Sequence, residues 1–109
     1  MVEFAFYEKE YGGTELTAEL FAPYAARAAD ELARYRRLYR VMGGEREAAM
    51  ATCAMAEVLH RLDEAEDGAR SVSVGTVKCG AGKTPTAADR ARALLRACER
   101  YLDVYRGTR

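Results

Sequence analysis

The pattern of apolar and polar positions is most regular over residues 44–68, where apolar side chains recur at the spacing of a helix face. The recurring positions are Ala51, Met55, Leu59 and Leu62. Between residues 48 and 59, only Thr52 and Glu57 are strongly polar. The pattern therefore predicts a helix that is apolar over most of its circumference, ends at Gly68 and forms the buried central rod of a small bundle.

Three further helices are predicted around this rod. Residues 2–11 form a short aromatic helix, and residues 18–42 form a long helix with Thr17 as its N-cap. The last helix begins near residues 84–86, where Pro85 suits the first turn and Thr86 with Asp89 resembles a capping box, and it ends at Gly107. The predicted buried positions of the three are Phe4, Tyr7, Tyr11, Phe21, Tyr24, Ala25, Ala28, Leu32, Tyr35, Tyr39, Ala91, Leu94, Leu95, Cys98, Leu102 and Tyr105.

An extended arm or small hairpin is predicted over residues 70–83, between the last two helices. Val72 and Val74 alternate with serines, and Val77 follows a Gly-Thr pair. This is the only segment whose pattern is typical of β structure, and a lone hairpin is marginal in water, so we expect the arm to become ordered against a partner surface. The predicted fold class is mainly α, with about four helices and this long arm in a single domain over residues 1–109.

The composition bounds the class of protein. The longest nearly apolar run, residues 48–56, is about half of what a membrane span needs, and the charged N-terminus does not follow the plan of a signal peptide. We therefore expect a soluble protein inside a cell, with no membrane partner. The three cysteines, Cys53, Cys79 and Cys98, form no C-x-x-C pair, which favours two buried thiols and one loop thiol over a disulfide framework or a zinc site.

No catalytic constellation emerges from the sequence. The only histidine, His60, adjoins Arg61, which favours a surface position, and the acidic pair Asp63-Glu64 is typical of a solvated helix face. The run Gly80–Thr84 resembles part of a phosphate-binding loop, but Val77 occupies the place of its first glycine. We expect no enzymatic activity, no cofactor and no metal site.

Charge is segregated along a chain whose formal net charge is zero. Residues 1–33 and 47–69 are acidic, whereas residues 34–46 and 70–109 are basic. Such alternation is typical of solvated helix faces, and it also suits subunits that meet head to tail. The basic cluster comprises Arg34, Arg36, Arg37 and Arg40. It suits the negative end of a helix dipole, and together with neighbouring tyrosines it leaves open a small helical nucleic-acid-binding or regulatory protein.

Four motifs, in their order and spacing, resemble a known family. They are the opening YEKEYGG of residues 7–13 with a helix start at Thr17, the CAMAEVLHR core of residues 53–61, the SVSVG arm of residues 71–75, and the RYL and YRG elements within residues 100–107. They look like small head-tail connector, or head completion, proteins of tailed bacteriophages and prophages. The likeness covers nearly the whole chain and departs from the family pattern over residues 34–44, where an arginine-tyrosine run replaces a short linker.

The resemblance implies a structural virion protein without enzymatic activity. Members of that family are small helical bundles, and their copies form a ring beneath the portal protein at the DNA exit channel of the capsid. The implied partners are further copies of the chain, the portal protein, a downstream neck or stopper protein and the passing DNA. The implied location is the bacterial host cytoplasm before assembly and the neck of the virion afterwards.

Three contact surfaces follow as hypotheses from the resemblance and the residue pattern together. The subunit interface would contain Val72, Val74 and Val77. The portal-facing residues would be Tyr101, Tyr105 and Arg106. Non-specific DNA contacts in the ring lumen would come from Arg34, Arg36, Arg37 and Arg40 and should be weak and sensitive to salt.

Overall fold

The computed structural model describes residues 2–72 and 86–105, with side chains as far as Asp67 in the first range. The elements are α1 (Phe4–Phe6), a π-helical turn (Tyr7–Tyr11), α2 (Ala18–Leu38), β1 (Arg40–Met42), α3 (Glu45–Val72), α4 (Ala87–Glu99) and β2 (Asp103–Tyr105). Across the described ranges the chain is mainly helical, with four α-helices, which confirms the predicted fold class. The predicted arm, from residue 73 onward, lies outside the described residues.

Helix α3 is the central rod, as its apolar pattern predicts. Ala51, Met55 and Leu59 are buried, and α3 packs against α2, α4 and the π-helical turn. The predicted end at Gly68 is wrong, because α3 continues to Val72. A single glycine costs a helix only about 1 kcal/mol, and the residues that follow Gly68 include the good helix formers Ala and Arg. Residues 70–72 therefore belong to α3 and not to an arm.

Helix α2 begins as predicted and ends earlier. Thr17 is its N-cap, and the Thr17 hydroxyl accepts a hydrogen bond from the backbone N–H of Leu20 at 3.2 Å. The helix ends at Leu38 instead of Met42, because Tyr39 adopts an extended conformation and the chain enters β1. The buried side chains of α2 are Phe21, Ala25, Ala28, Leu32 and Tyr35, all within the predicted stripe.

Helix α4 also begins as predicted. Thr86 and Asp89 exchange the two hydrogen bonds of a capping box, each 3.0 Å long. The helix ends at Glu99 instead of Gly107, since the chain turns and leads into β2. Leu94, Cys98 and Leu102 are buried as expected, whereas Ala91 and Tyr105 are exposed and do not belong to the buried stripe.

The two short strands form an antiparallel sheet that the sequence pattern misses. Arg40 pairs with Tyr105, Val41 with Val104 and Met42 with Asp103. Val41 and Val104 are half-buried and pack against the core, and β-branched residues favour such a pleated, half-buried position. The arm is therefore not the only β-like segment, and the sheet ties the α2–α3 connection to the residues after α4.

Gly43 carries the chain from the sheet into α3, and it generates a stability prediction. Its φ of 147° is open only to glycine, and a Cβ there would overlap the side chain of Leu102. We expect Gly43→Ala to lower the free energy of unfolding by about 3 kcal/mol, through backbone strain and overpacking. The measurement is urea unfolding followed by circular dichroism.

Gly12→Ala is the matched control, because Gly12 also has a positive φ, of 78°, but a Cβ there would meet no atom within 4 Å. Its cost should be about 1 kcal/mol. Equal losses in the two variants would show that the contact between Gly43 and Leu102 does not matter.

Candidate functional site

A buried carboxylate lies at the centre of the bundle. Glu57 in α3 is only 8% exposed, although the helix around it is apolar. The Tyr7 hydroxyl donates to Glu57 Oε2 at 2.8 Å, and the Tyr11 hydroxyl and an Arg61 N–H donate to Oε1 at 3.3 and 3.4 Å. Burying a charge without partners is costly, so these three donors are what allow Glu57 to remain inside.

The Tyr7 hydroxyl connects this carboxylate to the loop before α2. It accepts hydrogen bonds from the backbone N–H groups of Glu15 and Leu16, at 3.0 and 2.9 Å. Burial raises the pKa of Tyr7 to about 12, and the hydrogen bond to Glu57 contributes in the same direction. The phenol is therefore protonated at neutral pH and serves as a fixed donor.

The π-helical turn positions both tyrosines for this contact. The wide turn places the rings of Tyr7 and Tyr11 in a stack with centroids 5.7 Å apart, and Tyr7 also stacks on Phe21 at 4.9 Å. Burial followed by the charge of Glu57 raises the pKa of Tyr11. A regular α-helical pattern predicts the shared face of these residues correctly but does not predict the wider turn.

A second carboxylate joins three helices. Asp63 in α3 accepts hydrogen bonds from the Tyr24 hydroxyl at 2.7 Å, from Arg27 at 2.9 Å and from Arg90 at 3.2 Å. Partial burial alone would raise the pKa of Asp63, but the hydrogen bonds from Tyr24, Arg27 and Arg90 outweigh it and lower the pKa. The interpretation of Asp63 as mere solvated charge is wrong, since it links α3 to α2 and α4.

The predicted surface position of His60 is also wrong. Its side chain is only 13% exposed and meets the ring of Tyr24 edge to face, with centroids 5.4 Å apart. Glu15 and Glu64 lie within 3.9 and 3.5 Å of its two ring nitrogens. His60 therefore packs between α2 and the loop that precedes it.

The two buried cysteine thiols are unreactive. Cys53 and Cys98 are free and buried, as expected, whereas Cys79 lies outside the described residues. Burial raises the pKa of Cys53 to about 12, with the charge of Glu57 adding to the effect, and burial raises the pKa of Cys98 to about 11. Both thiols are protonated at neutral pH and lack the thiolate character of a nucleophile.

An open cleft of about 550 Å³ lies between the N-terminal residues, α2 and the start of α3. Ala48, Ala49 and Thr52 are among its lining residues, and the Thr52 hydroxyl already donates to the carbonyl of Ala48 at 2.9 Å.

Within residues 2–72 and 86–105, no three His, Cys, Asp or Glu side chains are grouped to hold a metal ion. None of the helices in those ranges combines the length and apolar character that crossing a membrane requires.

Among the described residues, the most exposed large apolar side chains lie in or beside the sheet. Leu38, Met42 and Tyr105 are 56%, 49% and 55% exposed. Met42 and Tyr105 lie on one face of the β1–β2 pair, with Arg40 and Asp103 as their cross-strand partners, and Leu38 ends the helix that leads into β1. We call Leu38, Met42 and Tyr105 the sheet surface.

The portal-facing residues predicted from the sequence are only partly placed together. Tyr105 lies in the sheet surface, whereas Tyr101 is half-buried, with its ring 6.2 Å from that of Tyr11 and the Arg100 guanidinium over its face. Arg106 lies outside the described residues. Tyr105 is thus the residue of this set that offers an exposed apolar contact.

The other predicted contact residues are also only partly described. Val72 lies in the last turn of α3, and Val74 and Val77 lie outside the described residues. In the basic cluster, Arg34 is paired with Glu31 at 2.7 Å. The remaining members, Arg36, Arg37 and Arg40, are exposed and form no ion pair with any described residue.

Sequence reasoning misses Glu57 and the sheet. Glu57 carries a usable signal, because a lone carboxylate in an apolar helix must find donors, and tyrosines near the N-terminus supply them. Val41 and Val104 give a weaker signal, since each is one β-branched residue in a three-residue strand.

Comparisons with protein-family models, curated proteins and solved structures found no match for this chain.

The Glu57 contact generates a prediction for Tyr7→Phe. The change leaves Glu57 and two backbone amides without the hydroxyl, so we expect the free energy of unfolding at pH 7 to fall by about 3 kcal/mol. Because the folded-state pKa of Tyr7 lies above the ordinary value of 10, the stability it contributes is present below pH 10 and is lost as the pH rises toward 12. Tyr7→Phe should remove part of that alkaline decline. The exposed Tyr105→Phe is the control, and equal effects of both variants in urea unfolding would contradict the role of Tyr7.

The Asp63 contact generates a prediction for acid stability. Since the folded-state pKa of Asp63 is lowered, its contribution is present above the ordinary pKa near 4 and is lost as the pH falls through the lowered value. We expect Asp63→Asn to reduce the free energy of unfolding by about 1–2 kcal/mol at pH 7 and to flatten its decline below pH 4. Thermal unfolding between pH 2 and pH 7 measures both effects. The control is Asp30→Asn, which changes an exposed aspartate. The role of Asp63 would be contradicted if stability declined below pH 4 as steeply in Asp63→Asn as in the wild type, or if Asp30→Asn flattened the decline as much as Asp63→Asn.

Proposed function

We propose that this protein is a structural assembly subunit that associates with copies of itself into a ring, as a head-tail connector or head completion protein of a phage or prophage. Its role would be to extend the DNA exit channel below the portal protein and to present a platform to the next neck protein. It would act in the virion neck after assembly in the host cytoplasm. The proposal involves contacts between surfaces and no chemical step.

The sheet surface is the observation that carries this proposal. Three of the four large apolar side chains that are exposed in the described ranges lie there, and the fourth, Leu20, lies near the other end of α2. Met42 and Tyr105 share one face of the strand pair, and exposed apolar residues that lie close together favour burial against another protein. Copies of the chain could associate through the sheet surface without a bound small molecule or metal ion.

The interior supports the same interpretation. Glu57 and Asp63, the polar groups that could suggest chemistry, are each held by several donors from other parts of the bundle. Such side chains stabilise one conformation, which suits a subunit whose surfaces must register with its neighbours.

Three arginines that form no ion pair with any described residue support the channel part of the proposal. Arg36, Arg37 and Arg40 are exposed near the sheet, so in a ring they would be available to DNA phosphates. Such contacts should weaken steeply with salt. Duplex binding that survives high salt and depends on sequence would favour the alternative of a small helical nucleic-acid-binding or regulatory protein.

The sheet surface can be tested with substitutions that preserve the sheet. Met42→Lys faces Asp103 and Tyr105→Glu faces Arg40, so each adds a favourable cross-strand charge pair while removing an apolar contact. We expect the wild type to assemble at high concentration, and the double variant to need at least tenfold more protein. Sedimentation velocity and negative-stain electron microscopy measure the assembly.

Leu20→Glu is the matched control, because it also replaces an exposed apolar residue by a charge but lies outside the sheet surface. Its assembly should equal that of the wild type. A wild type that stays monomeric at every concentration, alone and with a portal protein, would contradict the proposed function. Equal assembly of the double variant and the wild type would remove the sheet surface as its basis.

A further inference from the structure

The β1–β2 sheet has two outer edges to which a further strand could be added. It has two strands of three residues each, and no described residue pairs with the outer edge of either strand. A two-stranded sheet is marginal in water, and an exposed edge offers backbone N–H and C=O groups to any strand that can approach. A third strand would satisfy these groups and could cover the sheet surface.

The chain contains one further segment with the residue pattern of a strand. Residues 73–77, with the sequence SVGTV, follow α3 directly and contain Val74 and Val77. Val and Thr favour strands, and the chain outside the sheet offers no comparable β-like pattern. The segment is therefore the natural candidate for the missing strand.

The segment cannot reach the sheet of its own subunit. Val77 is five residues beyond Val72, so even a fully extended chain places it within about 18 Å of the end of α3. The sheet adjoins the opposite end of α3, and a helix of 28 residues is about 42 Å long. Intramolecular pairing is excluded by this difference in length.

We propose that residues 73–77 of one subunit pair with an outer edge of the β1–β2 sheet of a second copy and pack a valine against its sheet surface. Addition of a strand supplies backbone hydrogen bonds, and the alternate side chains supply specificity. This inference rests on the proposed function, because it names the contact through which the copies would associate.

The geometry makes this contact heterologous. Each subunit would donate its segment at one end of α3 and accept a neighbour's segment at the other end. Donor and acceptor surfaces are then different, so every added copy leaves one of each free. Such a contact extends head to tail and forms a ring when the rotation between copies closes.

A mixing experiment tests the proposal. The donor-defective variant is Val74→Asp with Val77→Asp, and the acceptor-defective variant is Met42→Lys with Tyr105→Glu. Each should remain monomeric at concentrations where the wild type assembles. Their equimolar mixture should form a dimer and nothing larger, since only one intact donor and one intact acceptor meet. The matched control is Ala81→Asp with Thr84→Asp, which adds the same charge between α3 and α4 but outside residues 73–77. It should assemble as the wild type does.

The outcomes separate this inference from the proposed function. If the wild type assembles but the mixture stays monomeric, or if the donor-defective variant assembles normally, strand addition is overturned and the ring proposal stands on other contacts. If the wild type never assembles, the proposed function fails and the inference fails with it. Sedimentation velocity on the full-length chains, with circular dichroism to confirm that each variant is folded, provides the readout.

Discussion

The hydrogen bond between Tyr7 and Glu57 is the contact on which the arrangement of the N-terminal third depends. A helix buried on most sides has no room for an unsatisfied carboxylate, so Glu57 must be met by donors from elsewhere. The Tyr7 hydroxyl donates a hydrogen bond to Glu57, and it accepts hydrogen bonds from the backbone N–H groups of Glu15 and Leu16. One phenol thus fixes the π-helical turn against α3 and positions the loop that starts α2.

The interior of the bundle and the sheet differ in how completely their polar and apolar groups find partners. Around Glu57 and Asp63, charges and hydroxyls find several partners within the subunit. At the sheet, in contrast, large apolar side chains are exposed and strand edges have no described partner. Polar groups with partners in the interior, beside exposed apolar side chains at the sheet, are what we expect of an assembly subunit, and this combination is the physical basis for proposing assembly.

The features that sequence predicts well are those with local causes. The caps at Thr17 and at Thr86–Asp89 depend on side chains three residues from their partners, and the burial of α3 follows from its own periodicity. The features it misses depend on distant partners, since Tyr7 and Glu57 are 50 residues apart and Val41 pairs with Val104. Strands of three residues are also too short to interrupt a helical pattern, which is why both flanking helices are predicted too long.

Hydrogen–deuterium exchange at increasing protein concentration tests the central claim most directly, because it locates the surface that becomes covered. On assembly we expect the amides of β1 and β2 to become protected together with those of residues 73–77, while exchange in the buried part of α3 stays unchanged. Assembly that leaves the strands and residues 73–77 as exposed as in the monomer, and protects another face of the bundle, would contradict it.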